Sequence, residues 1–156
     1  MNSSNFTPAE RIESLKVAIA GGVCAGVISL GILVVNRILV FGLDAIALTL
    51  ASGIATLTLF VNAGIAGLSG ALFALVYRYA IRQDNNPQLN NGVVLAFTLV
   101  RGLALVDAGS AISQNGWPFL SACGESFLIF GVTALILNFA IQQQWLKTFG
   151  GVSDGE

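Results

Sequence analysis

The chain has 156 residues, of which 55% are hydrophobic and 10% are charged, with a net charge of −1 and a mean hydropathy of +0.82. Ordinary soluble domains carry about 25% charged residues, and a chain of this length cannot hide so much apolar surface in its own core. The composition therefore predicts an integral membrane protein, and the balanced charge excludes a basic surface for nucleic acid.

The first predicted element is a helix that enters the membrane after a short polar segment, residues 1–16. Thr7 can cap this helix, Pro8 suits its first position, and Glu10 completes a capping box. The apolar run at residues 17–35 is 19 residues long, which is enough to cross about 30 Å of hydrocarbon. A cleaved signal peptide would have a shorter apolar core and a small-residue cleavage site soon after it, so we predict an uncleaved first span.

The next apolar run extends from position 45 to position 77 and carries no formal charge. It is too long for one straight span and too short for two spans and a turn, which together need about 40 residues. Asn62 and Gly64 interrupt the run. We therefore predict a half-depth or interfacial helix at residues 45–60 and the second full span at residues 62–81.

Two further spans follow a polar loop at residues 82–91, where Asp, Asn, Gln and Pro cluster as they do in turns. The third span is predicted at residues 92–112 and the fourth at residues 119–141, before a polar tail at residues 142–156. The predicted fold class is all-α. It is a polytopic membrane helix bundle at residues 17–141 with four transmembrane helices, plus the half-depth helix.

The positions of the Lys and Arg residues predict how this bundle is oriented in the membrane. With the N-terminus inside, five cations face the cytoplasm and one faces the opposite side, in agreement with the positive-inside rule. The five are Arg11, Lys16, Arg78, Arg82 and Lys147, and the one is Arg37. A full span at residues 45–60 would move Arg78 and Arg82 outside and remove the bias. We therefore expect four spans with both termini in the cytoplasm.

Small residues repeat every four positions in the first two spans. The repeats are Ala18, Gly22 and Gly26, and then Ala63, Gly67 and Ala71. Such stripes let helix backbones approach closely where lipid provides no hydrophobic force between helices. Close packing within the chain is the favoured interpretation, and docking to the helices of a partner is the alternative.

Arg101 is the most informative polar residue, because it lies about nine residues into the third span and so about 13 Å from its inner edge. An arginine at that depth costs several kcal/mol unless it snorkels or pairs. Glu125 lies on the neighbouring antiparallel span, whereas Asp107 is near the opposite face of the helix that carries Arg101. We predict an intramembrane polar site of these three residues, in which Arg101 and Glu125 pair. A structural pin is favoured over an ion or proton relay, which needs more titratable positions along a path.

A candidate docking loop follows the second span. It combines aromatic, charged and polar turn residues, which are Tyr77, Arg78, Tyr79, Arg82, Asp84 and Asn85. Positive-inside anchoring and a turn explain these residue types in structural terms. The functional alternative is a docking surface for anionic headgroups or for a soluble partner.

Catalytic chemistry has little support in the sequence. The chain has no histidine, so it lacks the commonest general base and transition-metal ligand. Cys24 and Cys123 fall in different spans at different depths, so we expect no disulfide. No serine has an evident activating base. We therefore predict no catalytic, cofactor or metal site.

The stretch from position 77 to position 107 resembles an uncharacterised family of small multi-span membrane proteins of cyanobacteria and plastids. The matching parts are the YRY-x-x-R-x-DNNPQL loop and the VLAF-x-LVRGLA helix, which cover about a fifth of the chain. The resemblance implies a photosynthetic origin and a plasma or thylakoid membrane location. It implies no defined activity.

Two functional hypotheses follow. The first is a non-enzymatic membrane scaffold, or an assembly or accessory factor, that docks to a larger membrane complex. The second is a small transporter or channel subunit that uses Arg101, Asp107 and Glu125 around a polar pocket. The expected partners are the lipid bilayer and either a larger membrane complex or further copies of the chain, and no nucleic acid is expected.

Overall fold

The computed structural model describes residues 8–44, 51–81, 86–106 and 116–147. Within this part of the chain there are four α-helices, so the predicted all-α fold class is confirmed there. They are α1 (Pro8–Phe41), α2 (Gly53–Ala80), α3 (Pro87–Leu105) and α4 (Trp117–Gln142). Three of them, α1, α2 and α4, are long and apolar enough to cross a membrane.

Local sequence explains where several helices begin and end. Pro8 starts α1, and Gly42 follows its last residue with a φ of +82° while donating its N–H to the Ile38 carbonyl. A glycine with positive φ is the usual helix C-terminal residue, because it has no Cβ to clash. Asn86 caps α3, since its side-chain oxygen accepts the Gln88 N–H at 3.0 Å. These are ordinary capping devices at both kinds of terminus.

The second helix corrects the predicted half-depth helix at residues 45–60. Residues 53–60 are the first turns of α2, which continues through Asn62 and Gly64 without a break. The Asn62 side chain donates to the Thr58 carbonyl at 3.0 Å, so its polarity is satisfied within the helix. Residues 45–50 lie outside the described part. The second span therefore begins earlier than the predicted position 62.

Helix lengths also differ from the predicted spans. At about 1.5 Å per residue, the 34 residues of α1 reach about 51 Å and the 28 residues of α2 about 42 Å. Both exceed the hydrocarbon thickness of about 30 Å, so they must tilt or extend past it. The third helix ends at Leu105, because the backbone of Val106 is extended (φ −79°, ψ 117°), so it stops short of the predicted end at position 112. Residues 107–112 lie outside the described part.

The α1 and α2 helices pack as a tight antiparallel pair. A Cβ on Gly70 would overlap the Ala25 Cβ and lie 2.7 Å from the Gly21 carbonyl oxygen, and one on Gly67 would lie 3.2 Å from the Gly22 carbonyl oxygen. Only glycine allows backbones this close. The small-residue stripes thus pack within the chain, which confirms the favoured interpretation.

The second pair, α3 and α4, also crosses closely. A Cβ on Gly102 would lie 2.7 Å from the Cys123 Sγ. Aromatic rings then join the two pairs in a core, where Phe73 of α2 lies 5.4 Å from Phe97 of α3 and 5.1 Å from Phe130 of α4 between ring centroids. The architecture is therefore two antiparallel pairs held together by an aromatic core.

Candidate functional site

One end of the bundle, where α1 begins and α4 ends, is organised around Arg78. This side chain is fully buried, and the Glu10 side chain is 5% exposed. The Arg78 Nη2 donates to the Glu10 carboxylate at 2.5 Å, the Nη1 donates to the Ser14 hydroxyl at 2.6 Å, and the Nε donates to the Lys147 carbonyl oxygen at 2.9 Å. We call these four residues the Arg78 cluster. It connects α1, α2 and the segment that follows α4.

The segment after α4 folds back to reach this cluster. Gln144 has a φ of +59°, which turns the chain, and the Leu146 N–H donates to the Ala140 carbonyl at 3.3 Å. Leu146 is then 9% exposed and joins the apolar core. The Lys147 carbonyl is thereby presented to Arg78. The cluster fixes both ends of the described chain to the same end of the bundle.

The edge of the Arg78 cluster is charged and exposed. Lys16 Nζ lies 2.7 Å from Glu13 Oε1 on the first turns of α1. This hydrogen bond holds the pKa of Glu13 below its ordinary value, and the positive charges of Lys16, Arg78 and Lys147 act in the same direction. Because the Lys16 side chain is 58% exposed, this pair contributes little to stability. At this end of the bundle the charge of Arg78 is therefore buried, whereas the charge of Lys16 faces water.

The residues of the predicted docking loop do not form one exposed surface in the described part of the structure. Tyr77 is 2% exposed and Arg78 is fully buried, so neither is available on a surface, whereas Tyr79 is 37% exposed. Arg82, Asp84 and Asn85 lie outside the described residues. The physical reason is that Arg78 is on the core-facing side of α2, where its charge is satisfied by α1 rather than by water or headgroups.

Sequence reasoning missed Glu10 as the partner of Arg78, because it assigned Glu10 to a helix cap. The register of the glycine contacts carries the missing signal. Gly22 of α1 lies against Gly67 of α2. Twelve residues before Gly22 is Glu10, and twelve residues after Gly67 is Tyr79, the neighbour of Arg78. An antiparallel register fixed by small residues can therefore identify an ion pair about three turns away.

The intramembrane polar site lies toward the opposite end of the bundle. Arg101 Nη2 of α3 and Glu125 Oε1 of α4 are 4.0 Å apart. The close approach at Gly102 and Cys123 brings the two helices together at this level. Arg101 is 8% exposed and Glu125 is 28% exposed, while the Arg101 Nε has no hydrogen-bond partner among the described residues. Asp107 lies outside them.

Glu125 opens into a lateral groove of about 870 Å³ between α1 and α4. We call it the α1–α4 groove. It follows one face of α1 from Ile28 to Leu39 and one face of α4 from Pro118 to Leu128. The lining is mostly apolar, and Asn36 and Ser121 add uncharged polar side chains to it. The groove therefore offers one carboxylate in an apolar channel that opens sideways.

Other reactive chemistry is sparse in the part of the chain that the structure describes. No three residues among His, Cys, Asp and Glu gather there in an arrangement that could hold a metal ion. Cys24 and Cys123 are both free and half-buried.

Comparison with known proteins adds no relative. No family model matches the chain, and neither does any curated protein or solved structure. Functional inference therefore rests on the geometry of the two polar sites and the groove.

Proposed function

We propose that this chain is a non-enzymatic accessory or assembly subunit that crosses the membrane four times and binds a transmembrane helix of a larger complex in the α1–α4 groove. The observation that carries the proposal is the partly exposed Glu125 carboxylate in that apolar groove. A carboxylate that faces lipid costs several kcal/mol, so a partner that supplies a hydrogen-bond donor is favoured there.

Four crossings are supported by the positions of the helix ends. The Arg78 cluster holds the beginning of α1 and the segment after α4 at one end of the bundle. That arrangement supports an even number of passages. The 19 residues of α3 reach about 28 Å, close to the hydrocarbon thickness. The excess of cations at the same end supports a cytoplasmic location for it.

The shape of the α1–α4 groove suits a helix. Its α1 lining includes Ile28, Ile32, Val35 and Leu39, at spacings of three and four residues that keep them on one helix face. Eleven residues from Ile28 to Leu39 give a length of about 16 Å, or three turns. Gly31 leaves open space, since nothing lies within 4 Å of a Cβ placed on it. A partner helix with small or polar residues would fit between the two walls.

Site-directed photo-crosslinking in native membranes tests this proposal. A photoreactive phenylalanine analogue at Val35 lies in the groove, whereas the same analogue at Leu72 lies on α2, and the two positions are similarly exposed at 54% and 52%. We expect one discrete crosslinked partner from Val35 and none from Leu72.

A blocking variant supplies the second arm. Gly31→Phe fills the groove, and Gly64→Phe places the same side chain in open space on α2. We expect Gly31→Phe to lose the crosslinked partner and its co-purification in mild detergent, and Gly64→Phe to keep both. Equal crosslinking from the two probe positions, or a partner retained by Gly31→Phe, would show that the groove is not the docking site.

A small transporter or channel subunit is the second candidate, favoured by the loose Arg101–Glu125 pair beside an open groove. Asp107 would belong to the same path in that case. Purified protein in liposomes decides between the two. A homo-oligomer with an ion flux that Glu125→Gln abolishes favours transport, whereas an impermeant monomer that binds a partner favours the accessory role.

The location follows from the resemblance of the segment at positions 77–107. We propose a cyanobacterial plasma or thylakoid membrane on that basis. Membrane fractionation with an antibody against the chain tests this location directly.

A further inference from the structure

Arg101 and Glu125 have opposite charges but form no direct hydrogen bond. The Arg101 Nη2 and the Glu125 Oε1 are 4.0 Å apart, beyond the distance of about 2.7–3.2 Å that an N–H···O bond requires. The Arg101 Nε, on the same edge of the guanidinium, has no hydrogen-bond partner among the described residues, although Arg101 is only 8% exposed. Arg78 differs, since it donates directly to a carboxylate and to a serine hydroxyl. Arg101 therefore has a buried N–H group without a partner, beside a carboxylate that it does not reach.

A second unpaired group is the hydroxyl of Ser126 on α4. This residue is fully buried, and its Oγ has no hydrogen-bond partner among the described residues. Several other hydroxyls in the bundle donate to the carbonyl four residues earlier on their own helix, at 2.7 to 2.9 Å. They are those of Thr58, Ser69, Thr98 and Thr133. The Ser126 hydroxyl makes no such bond to its own helix, so it is available to a group in the space between the helices.

Arg101 and Ser126 lie on facing sides of α3 and α4. Phe97 of α3 and Phe130 of α4 are in contact, with their ring centroids 5.6 Å apart. Arg101 is four residues after Phe97, and Ser126 is four residues before Phe130. Residues four apart share a helix face, and because the two helices are antiparallel, both steps lead in the same direction along the bundle. Arg101 and Ser126 therefore occupy one layer next to the rings, and Glu125 adjoins Ser126 in that layer.

The chemistry of this layer selects a small, neutral ligand that both donates and accepts hydrogen bonds. The charges of Arg101 and Glu125 balance each other, so the layer requires hydrogen bonds rather than a further charge. Water meets this requirement, since a buried water molecule makes about three hydrogen bonds to groups that otherwise lack partners. A water oxygen about 2.9 Å from both the Arg101 Nη2 and the Glu125 Oε1 would span their 4.0 Å separation at an angle of about 90°.

We propose that one ordered water molecule bridges Arg101, Glu125 and Ser126 inside the bundle. It accepts a hydrogen bond from the guanidinium edge, donates one to the carboxylate, and forms the third with the Ser126 hydroxyl. This water supplies the hydration that an intramembrane arginine otherwise gains by reaching the interface. It uses one carboxylate oxygen of Glu125 and leaves the other for a donor in the α1–α4 groove. The inference goes beyond the docking proposal, and it applies to the purified chain without a partner.

A high-resolution crystal structure of the full-length protein, grown from a lipidic mesophase, tests the proposal without any substitution. We expect a water peak within hydrogen-bond distance of the Ser126 Oγ, of the Glu125 carboxylate and of the Arg101 Nε or Nη2. The map must show ordered waters elsewhere on the protein, so that the method has its own control. A map of that quality without a water among these three side chains would overturn the proposal. A guanidinium bonded directly to Glu125, with the Ser126 hydroxyl turned to the Ala122 carbonyl, would also overturn it.

A double-variant cycle tests the bridge in solution by reversible unfolding in mixed micelles. We expect Ser126→Ala to lower the folding equilibrium constant about fivefold in the native protein, because a bound water loses one partner. In Arg101→Met the water has already lost a partner, so the same substitution should change the constant less than about twofold. Thr133→Val is the control, since Thr133 donates to the Ile129 carbonyl at 2.7 Å, and it should have the same effect in both backgrounds.

Two results of the cycle would contradict the bridge. An increase in the folding equilibrium constant for Ser126→Ala would show that the hydroxyl is buried without any partner, since removing an unpaired polar group is favourable. An equal decrease in the native and the Arg101→Met backgrounds would show that Ser126 and Arg101 share no bound molecule.

Discussion

Replacement of Arg78 with methionine tests the role of the Arg78 cluster in stability. The variant keeps an unbranched side chain of similar reach and removes the guanidinium. The Glu10 carboxylate then stays in a site where it is 5% exposed, without the charge that lies 2.5 Å away in the native protein. Ser14 and the Lys147 carbonyl each lose a hydrogen bond as well.

The expected loss is large because one member of a buried ion pair is removed. Breaking such a pair costs about 3–5 kcal/mol, since the remaining charge stays desolvated. The double variant Arg78→Met/Glu10→Gln removes both charges, so its free energy of unfolding should fall by less than the sum of the single variants. We expect a coupling free energy of about 1–3 kcal/mol between the two positions.

Reversible unfolding in mixed micelles, with detergent composition as the denaturant and far-ultraviolet circular dichroism as the signal, measures these differences. Lys16→Met is the matched control, because the ion pair that its largely exposed side chain forms with Glu13 should contribute less than about 1 kcal/mol. A loss for Arg78→Met no larger than that for Lys16→Met would refute the reasoning. So would strict additivity in the double variant.

Two further predictions concern a helix contact and the Arg101–Glu125 pair. Gly70→Ala should lower the free energy of unfolding by about 1–3 kcal/mol through overpacking. Its control is Gly64→Ala, in open space, which should change that free energy by less than about 0.5 kcal/mol. Thermal unfolding in detergent compares the two variants. Arg101→Met should destabilise the protein by about 1–2 kcal/mol, which is less than the loss for Arg78→Met because Glu125 is 28% exposed. Adding Glu125→Gln to Arg101→Met should recover part of that loss in the same assay. Full stability of Arg101→Met would contradict the pairing.

Much of the fold follows from simple sequence patterns, but one boundary does not. Apolar runs and polar loops predict four helices in approximately the observed positions. The break predicted near Asn62 is wrong, because the argument counted a polar residue as an interruption. Thr58 and Asn62 donate to carbonyl groups four residues earlier on their own helix, so their polar atoms need neither water nor a turn. Hydropathy alone cannot distinguish a self-satisfied polar residue from a helix end.

The polar sites were predictable to different degrees. Depth along antiparallel spans is sufficient to predict Arg101 near Glu125, and the structure has them 4.0 Å apart. Arg78 is different, because a cation at the cytoplasmic end of a span satisfies the positive-inside rule whether it is buried or exposed. Deciding between the two requires the facing helix, and therefore the register that Gly21 and Gly70 set. Tertiary register is the information that composition lacks.

The two charged sites differ in a way that separates stability from recognition. Arg78 meets a carboxylate, a hydroxyl and a carbonyl in a fully buried site, so this end of the described bundle is internally satisfied and has little to offer a ligand. Arg101 meets Glu125 only at 4.0 Å, its Nε lacks a partner among the described residues, and Glu125 opens into a groove. Buried polar groups are costly until they are satisfied, so the free energy available for binding lies at the Glu125 end. A partner helix that completes this pair would gain both hydrogen bonds and apolar contact, whereas one that approached Arg78 would have to break contacts first.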